Sequence, residues 1–182
     1  VTEIEDLKPD ETPPVLLKNN KLASPVESVL ETYSLPKKGE IDPTAIMAFF
    51  YYIFFGMMFS DAGYGIIMTL GCAFVLLKFK NIEEGLKKSV KMFLYCGIST
   101  TFWGFMYGSF FGDAVTIIGK VYFNADVAIQ TIWFDPVKGS NSMTLLMVCF
   151  LFGIIHLFVG LGIKAYMYIK DGKFLDAIYD VL

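Results

Sequence analysis

The sequence predicts an all-α integral membrane protein, with four transmembrane helices in two hairpins and a short cytoplasmic N-terminal segment. Hydrophobic residues make up 55% of the 182 residues and charged residues only 18%, whereas soluble domains are usually about 45–50% apolar and about 25% charged. The apolar surplus lies in three charge-poor blocks, at 43–77, 92–112 and 143–163, in which Asp61 is the one charged residue. Because such blocks are typical of membrane helices, a simple soluble domain is excluded.

Residues 1–42 differ in character, because five prolines and scattered charges interrupt them. We expect a folded cytoplasmic edge or a connector here rather than a span. Ser24, Pro25 and Glu27 have the spacing of a capping box with proline at the first helical position, which predicts one helix. The apolar face of that helix needs a packing partner. Its members are Val26, Val29, Leu30 and Tyr33.

The first apolar block should fold as two spans, near 43–60 and 63–80. As one helix, residues 43–77 would be about 52 Å long, far more than a hydrocarbon core of about 30 Å. The polar and flexible cluster inside the block is residues 60–65, SDAGYG. Its glycines allow a turn, and Asp61 is placed to cap the second helix. We therefore predict a hairpin at this point.

The second and third blocks each predict one crossing, near 90–112 and 142–166. Each charge-free stretch has 21 residues, or about 31 Å of helix, which matches the hydrocarbon core. The four-helix membrane region then covers 43–169. Residues 115–118 in the connection between these spans are rich in β-branched side chains, which leaves open a short strand or a re-entrant piece.

Lysines decide the predicted orientation. The segment between the second and third spans holds five lysines, and three more follow the fourth span, whereas the connection 113–142 holds two. Because cytoplasmic loops carry the excess of positive charge, both ends should be cytoplasmic. Residues 170–182 then form an interfacial helix or the lead-in to further spans. The acidic start has no signal-peptide pattern, and we expect the chain to be part of a longer protein.

Two glycine-rich stripes predict close helix packing. Gly104 and Gly108, with Gly112, recur every four residues in the third span, and Gly153 and Gly160 flank His156 in the fourth. A ligand or lipid groove is the alternative for the first stripe. For His156 we expect a neutral imidazole bonded to a neighbouring helix, since its span contains no carboxylate; a proton relay is the alternative.

Asp61 and Asp113 each follow a phenylalanine-containing run at the outer end of a span. We expect capping or turn formation at both, because a carboxylate near the interface accepts backbone amide hydrogens at little cost. An asparagine at position 61 should then keep most of the turn's hydrogen bonds. An ion-entry role is the alternative.

Several function classes are excluded. A net charge of −3 and the lack of arginine argue against a nucleic-acid surface. The three cysteines lie singly, so no metal or disulfide pair is evident. The sequence has no phosphate-binding glycine loop and no constellation for nucleophilic catalysis. We therefore expect no cofactor, no metal and no enzymatic activity of the chain by itself.

Six motifs resemble, in the same order, the large membrane subunit of V-type and A-type rotary ATPases, called subunit I in prokaryotes and subunit a in eukaryotes. They are residues 12–20 (TPPVLLKNN), 40–44 (EIDPT), 54–65 (FFGMMFSDAGYG), 107–113 (YGSFFGD), 133–136 (WFDP) and 153–157 (GIIHL). One departure is Ser60, where the family usually has glycine before the aspartate. The resemblance covers nearly all of the chain from about residue 12.

The resemblance implies a stator, in which a cytoplasmic arm precedes a membrane domain whose later helices face a rotating proteolipid ring. It implies partners in that ring, in the other membrane-sector subunits and in the peripheral stalk, and a multi-pass location in a prokaryotic cell membrane. The family's ion translocation of H⁺ or Na⁺ depends on arginines in later spans, and this chain has none. The chain would hold the end of the arm and the first half of the membrane domain. An independent small ion transporter or channel is the alternative.

The candidate positions fall into two groups. Family-motif or intramembrane polar positions are Asp61, Gly63, Tyr64, Gly65, Gly112, Asp113 and His156. Helix-packing positions are Gly104, Gly108, Gly153 and Gly160.

Overall fold

A computed structural model describes residues 17–36, 40–123, 131–136, 139, 141–170 and 172. In these residues the chain forms six α-helices and no strand, which confirms the all-α class. The helices are α1 (Glu27–Tyr33), α2 (Thr44–Phe59), α3 (Ala62–Lys78), α4 (Glu84–Tyr107), α5 (Ala114–Phe123) and α6 (Asn141–Lys170). Residues 1–16 and the helix expected within 173–182 lie outside the described residues.

Helices α2, α3, α4 and α6 overlap the four predicted spans, but α4 ends at Tyr107, so Gly108 and Gly112 lie beyond the helix that was predicted to contain them. The helix lengths also do not all suit a membrane. By length and composition, α6 alone among the described helices is long and apolar enough to cross one. Helices α2 and α3 have 16 and 17 residues, about 24–26 Å, which is short of a hydrocarbon core of about 30 Å. The first two turns of α4 carry four charged side chains. Four crossings therefore remain a prediction.

The strand alternative for residues 115–118 is wrong, because these residues lie inside α5. Val115 and Gly119 are four residues apart and so share one helical face. Gly119 is buried and Val115 is half-buried, so one face of α5 is shielded from solvent, and the strand preference of its β-branched side chains does not prevail.

The N-terminal helix has its packing partner within the chain. Val26 and Leu30 are buried, and Val26 packs in one cluster with Ala48 of α2 and with Met92 and Cys96 of α4. Tyr33, which the pattern assigned to the same face, is 82% exposed. Burial of these apolar side chains holds α1 and the turn before it against the first half of α4.

The capping box at Ser24 is not formed. A 3-10 turn spans Ser24–Val26, its N-cap residue is Ala23, and no side chain caps it. The Ser24 hydroxyl donates instead to Glu27 Oε2 at 3.4 Å. The Glu27 side chain also faces Lys88 of α4. The Lys88 ammonium donates to the same Glu27 oxygen at 2.7 Å, so the carboxylate links α1 to α4 and does not fold back onto the helix start.

Helix α4 is the centre of the molecule and packs against both α3 and α2. A second apolar cluster lies toward the C-terminal end of α4 and is built on Met57, Trp103 and Tyr107. Leu145 and Phe152 of α6 pack against it. The α2–α3 turn and the end of α4 meet at this end of the helices, which positions the candidate site.

Candidate functional site at the Asp61 turn

Two turns that are distant in sequence meet at the end of the helices. One is the α2–α3 turn at Ser60 and Asp61, and the other is the segment 108–113 between α4 and α5. The Ala62 amide donates to the Ser109 carbonyl oxygen at 2.9 Å. The first turn of α3 is therefore bonded directly to the segment that leaves α4.

The Asp61 carboxylate holds this junction together, and it is 7% exposed. Oδ1 accepts hydrogen bonds from the amide of Tyr64 at 3.1 Å and the amide of Phe111 at 3.0 Å. Oδ2 accepts from the amide of Gly112 at 2.8 Å and the hydroxyl of Ser109 at 3.2 Å. These four donors, three of which belong to the segment after α4, form a hydrogen-bonded cradle around the two carboxylate oxygens. The carboxylate caps α3 and also joins the start of α3 to the segment that leaves α4.

Burial by itself raises the pKa of the Asp61 carboxyl, because it disfavours the charged form. The amides of Gly112, Tyr64 and Phe111 and the Ser109 hydroxyl stabilise the carboxylate and outweigh that effect, so the pKa lies below its ordinary value. Asp61 is therefore a fixed anion at neutral pH. This arrangement suits a permanent hydrogen-bond acceptor better than a group that takes up and releases protons near neutrality.

The same geometry changes the expectation for an asparagine at position 61. Both carboxylate oxygens accept two hydrogen bonds, and an amide group has one oxygen and an NH₂ that only donates. Whichever way the amide is turned, two donors face its nitrogen. The expectation that asparagine keeps most of the turn's hydrogen bonds is replaced by a loss of half of them.

The turns around Asp61 need left-handed backbone at several positions. Gly108 and Gly112 have φ values of +70° and +65°, and two non-glycine residues, Ser60 and Phe111, have φ values of 35° and 51°. Glycine adopts this region without a Cβ clash, whereas other residues are strained there. The strained backbone of Phe111 is held by its amide hydrogen bond to Asp61, and that of Ser60 by its amide hydrogen bond to the Gly56 carbonyl oxygen at 2.8 Å.

Glycines near the turn allow very close approach of neighbouring elements. A Cβ at Gly104 would lie 2.0 Å from the Ala62 amide nitrogen, and one at Gly65 would lie 2.5 Å from the Thr101 nitrogen. A Cβ at Gly63 would lie 2.5 Å from the Phe111 ring, against which the exposed Tyr64 ring also packs edge-on at 5.1 Å. Contacts this short require glycine, so Gly65 and Gly104 fix how closely α3 and α4 pack, and Gly63 leaves room for the Phe111 ring.

The other predicted packing positions differ from one another. Gly108 faces Thr131, whose Cγ2 would lie 2.8 Å from an added Cβ. A Cβ at Gly112, Gly153 or Gly160 would meet no described atom within 4 Å. Gly112 instead serves the turn by its positive φ and its amide bond to Asp61. Gly153 and Gly160 therefore allow no close backbone approach by another described element.

Asp113 lies beside the junction but not within the hydrogen-bonded cradle. Its side chain is exposed, and its carbonyl oxygen accepts from the Ile117 amide at 3.0 Å at the start of α5. Asp113 and Asp61 line one polar cavity of about 200 Å³ together with Asp135. Among the described residues, no three His, Cys, Asp or Glu side chains are grouped so as to hold a metal ion.

His156 lies between aromatic rings of α2. Its imidazole centroid is 4.6 Å from the Phe50 ring and 5.6 Å from the Phe54 ring. The described contacts of His156 are thus with aromatic rings of α2, and Asp61 is not among them. The hydrogen bond expected for it across the Gly153 and Gly160 face is not among the described contacts.

Sequence reasoning missed several residues of the site. Ser109 and Phe111 supply donors to Asp61, and Gly56 of α2 lies so close to α4 that an added Cβ would be 2.2 Å from the Ser99 hydroxyl. Trp103, Tyr107 and Trp133 stack in sequence at 5.7 and 6.1 Å beside the turn. Two features of the sequence could have indicated them: Ser109 directly follows a glycine in residues 107–113, and Gly56 is the one glycine of α2.

Comparison with known proteins decides the family. The model of the V-type ATPase 116kDa subunit family matches residues 1–154. The chain belongs to this family. The resemblance drawn from the sequence motifs is therefore confirmed. All of the Asp61 junction described above lies within the matched residues of this V-type ATPase family member.

Relatives of this family member are named as ATP synthase subunits. The chain is 33% identical to A-type ATP synthase subunit I of Pyrococcus horikoshii over 169 residues, which are 93% of the chain and 24% of that protein. It is 31% identical to the subunit I of Methanocaldococcus jannaschii over 97% of the chain and 28% of that protein. V-type ATP synthase subunit I of Chlamydia trachomatis is 34% identical over 59% of the chain and 17% of that protein. The chain thus spans about a quarter of the length of its archaeal relatives.

Proposed function

We propose that this chain is part of the stator membrane subunit of a rotary V/A-type ATPase, which couples ATP hydrolysis or synthesis to H⁺ or Na⁺ translocation. In this proposal the chain is not catalytic. It braces the ion-conducting half of the membrane domain. The relatives named as subunit I support the placement in an ATP synthase, and the hydrogen-bonded Asp61 junction supports the bracing role.

The Asp61 cradle is the observation that carries the bracing role. An ion-exchanging carboxylate needs a coordination position that is open in at least one state, but all four acceptor positions of Asp61 are taken by donors of the chain. Three of these donors come from the segment after α4, so the carboxylate fixes the α2–α3 hairpin to α4. A brace requires such a rigid junction between hairpins.

The charge distribution supports the orientation that we propose. In that orientation α2, α3, α4 and α6 cross the membrane, the Asp61 turn faces outward and both ends of the chain are cytoplasmic. The short α2 and α3 are accommodated by local thinning of the bilayer or by burial against neighbouring subunits. We propose the proteolipid ring, other membrane-sector subunits, the lipid bilayer and, through the N-terminal segment, the peripheral stalk as partners.

Substitutions that remove the imidazole of His156 distinguish a bracing role of the chain from an ion path through it. We expect His156→Gln and His156→Leu to keep most ATP-driven ion pumping in the complete ATPase, because the Phe50 and Phe54 rings contact the imidazole by packing alone. Neither substitute takes up a proton near neutral pH. Pumping by reconstituted complexes would be measured as acidification or ion uptake per assembled complex.

The opposite result would support an independent transporter or channel. If both His156 variants assemble normally but pump nothing, His156 lies on an ion path and the bracing role fails. Ion flux through liposomes that contain this chain without the other subunits would contradict the proposal in the same way.

A further inference from the structure

The connection between α3 and α4 presents lysines that form no ion pair with the residues that the structure describes. Lys78 ends α3, Lys80 follows it, and Lys87 and Lys91 lie one helical turn apart near the start of α4. None of the four makes an ion pair with another described residue. Lys88, by contrast, is bound to Glu27 at 2.7 Å. The connection therefore keeps a surface of available positive charge.

The acidic residues near this connection lie at the amino-terminal end of α4. Glu83 is the N-cap residue of α4 and Glu84 lies in its first turn, where the helix dipole favours negative charge. These carboxylates also exclude an anion from the amides at that helix end. Four lysines against two glutamates leave the surface positive, so an anion would be drawn to the amines of the α3 end.

Apolar side chains lie beside these amines. A cavity of about 520 Å³ is lined by Lys78, Phe79, Lys80, Asn81 and Ile82. Phe79 is 54% exposed and Leu77 is 77% exposed, at the end of an apolar helix. Lys78 bends back over the Phe74 ring, with its Nζ 5.2 Å from the ring centroid. Amines and exposed apolar side chains thus share one small surface.

We propose that this surface, residues 77–82, binds the headgroup phosphate of an anionic phospholipid. Lys78 and Lys80 hold the phosphate oxygens, and Phe79 and Leu77 lie against the first part of the acyl chains. The apolar side chains favour a lipid over a soluble phosphate, because a dissolved anion gains nothing from exposed aromatic surface. The inference rests on the proposed function, in which this connection lies at the cytoplasmic face of a membrane.

A lipid titration of the complete, delipidated ATPase in detergent tests the proposal. We expect phosphatidylglycerol to bind in preference to phosphatidylcholine, with bound lipid counted by native mass spectrometry. Lys78→Gln with Lys80→Gln should weaken phosphatidylglycerol binding roughly 25-fold, from about fivefold for each lysine near a lipid phosphate. Lys78→Arg with Lys80→Arg should restore binding, which separates the loss of charge from a folding defect.

Lys18→Gln with Lys21→Gln is the matched control, because both lysines are exposed and the pair removes the same charge. We expect this pair to leave binding unchanged within twofold. Equal binding of phosphatidylglycerol by the Lys78 and Lys80 glutamine variant and by the original protein would overturn the proposal. Displacement of the lipid by inorganic phosphate at constant ionic strength, with no effect of Phe79→Ser, would overturn it in favour of a free-phosphate site.

The lipid titration in detergent does not depend on orientation in a membrane. The proposed topology is tested separately by labelling Asn81→Cys, in a background without the native cysteines, from each side of sealed vesicles. Labelling from the outer side alone would contradict the topology whatever the titration shows. Loss of lipid preference with cytoplasmic labelling would overturn the lipid site and leave the topology standing.

Discussion

Asp61 shows how one side chain can connect two turns that are distant in sequence. A carboxylate offers enough lone pairs for the four donors that surround it, whereas a neutral amide offers half as many acceptors. Hydrogen bonds to a charged acceptor contribute about 1.5–3 kcal/mol each, and a buried donor that loses its acceptor costs about 1–3 kcal/mol. The charge and the number of lone pairs are therefore both needed at this position.

Asp61→Asn should lower the free energy of unfolding of the purified subunit by about 2–4 kcal/mol, because two buried donors lose their acceptor. Denaturant titration in detergent would measure the change. Asp113→Asn is the matched control, since Asp113 is exposed next to the same turn, and it should change the free energy by less than about 0.5 kcal/mol. Equal effects of the two substitutions would refute the cradle as a source of stability.

The lowered pKa of Asp61 gives its contribution a definite pH dependence. Because the folded pKa lies below the value of an unfolded aspartate, the stabilisation is complete above about pH 4 and is lost as the pH falls through the folded pKa. We expect the unfolding temperature of the subunit to fall more steeply below pH 4 in the original protein than in Asp61→Asn. Parallel curves for the two proteins would show that Asp61 does not contribute in this way.

Ser60 occupies a left-handed conformation that glycine adopts without strain. Ser60→Gly should raise the free energy of unfolding by about 0.5–1 kcal/mol, since relief of the Cβ clash exceeds the entropy that glycine adds to the unfolded chain. Denaturant titration would detect the gain. A loss of stability would mean that the Ser60 side chain makes a contact worth more than the strain.

At the scale of elements, α3 and α4 are held together by backbone proximity. Gly65, Gly97 and Gly104 each let a neighbouring backbone approach to a distance that no side chain would allow. The hydroxyls of Thr69 and Thr101 at this interface donate to carbonyl oxygens of their own helices, at 2.8 Å each. The interface therefore buries no unsatisfied hydroxyl there, and small residues decide its geometry.

Gly104→Ala and Gly153→Ala form a matched pair of substitutions in two helices. An added Cβ at Gly104 would overlap the Ala62 backbone, so the helices must separate, at a cost of about 1–3 kcal/mol or more. At Gly153 no described atom lies within 4 Å, and alanine should leave stability unchanged or raise it by up to about 1 kcal/mol. Unfolding midpoints of the two variants would show it; the reverse order would contradict the assigned packing.

The helices could be predicted from sequence because charge-poor length and turn chemistry mark them directly. The turn at Asp61 is an example, since glycines and a capping carboxylate coincide in residues 60–65. The bonds from Ser109, Phe111 and Gly112 could not be predicted, because they join residues about 50 positions apart. For the same reason the packing of α1 against α4 and of His156 against the α2 rings could not be predicted. At residues 115–118 the local β propensity indicated a strand, whereas the chain forms α5 there.

At the scale of the whole molecule, α4 lies at the centre of the described helices, and α2 and α3 pack against it. A polar contact joins each end of α4 to another element. The Glu27–Lys88 ion pair joins α1 to the start of α4, and the Asp61 cradle joins the α2–α3 turn to its end. The side chain of Lys88 is partly exposed, so the ion pair contributes less than the cradle. We propose that these contacts allow the chain to support the neighbouring ion-conducting part.

We propose that the Asp61 junction braces the ATPase and does not conduct ions. The most direct measurement is the yield of complete ATPase carrying Asp61→Asn, together with ATP-driven ion transport per assembled complex in liposomes. We predict a reduced yield, with transport per assembled complex within twofold of the original protein. A normal yield with transport abolished would contradict the account and place Asp61 on the ion path.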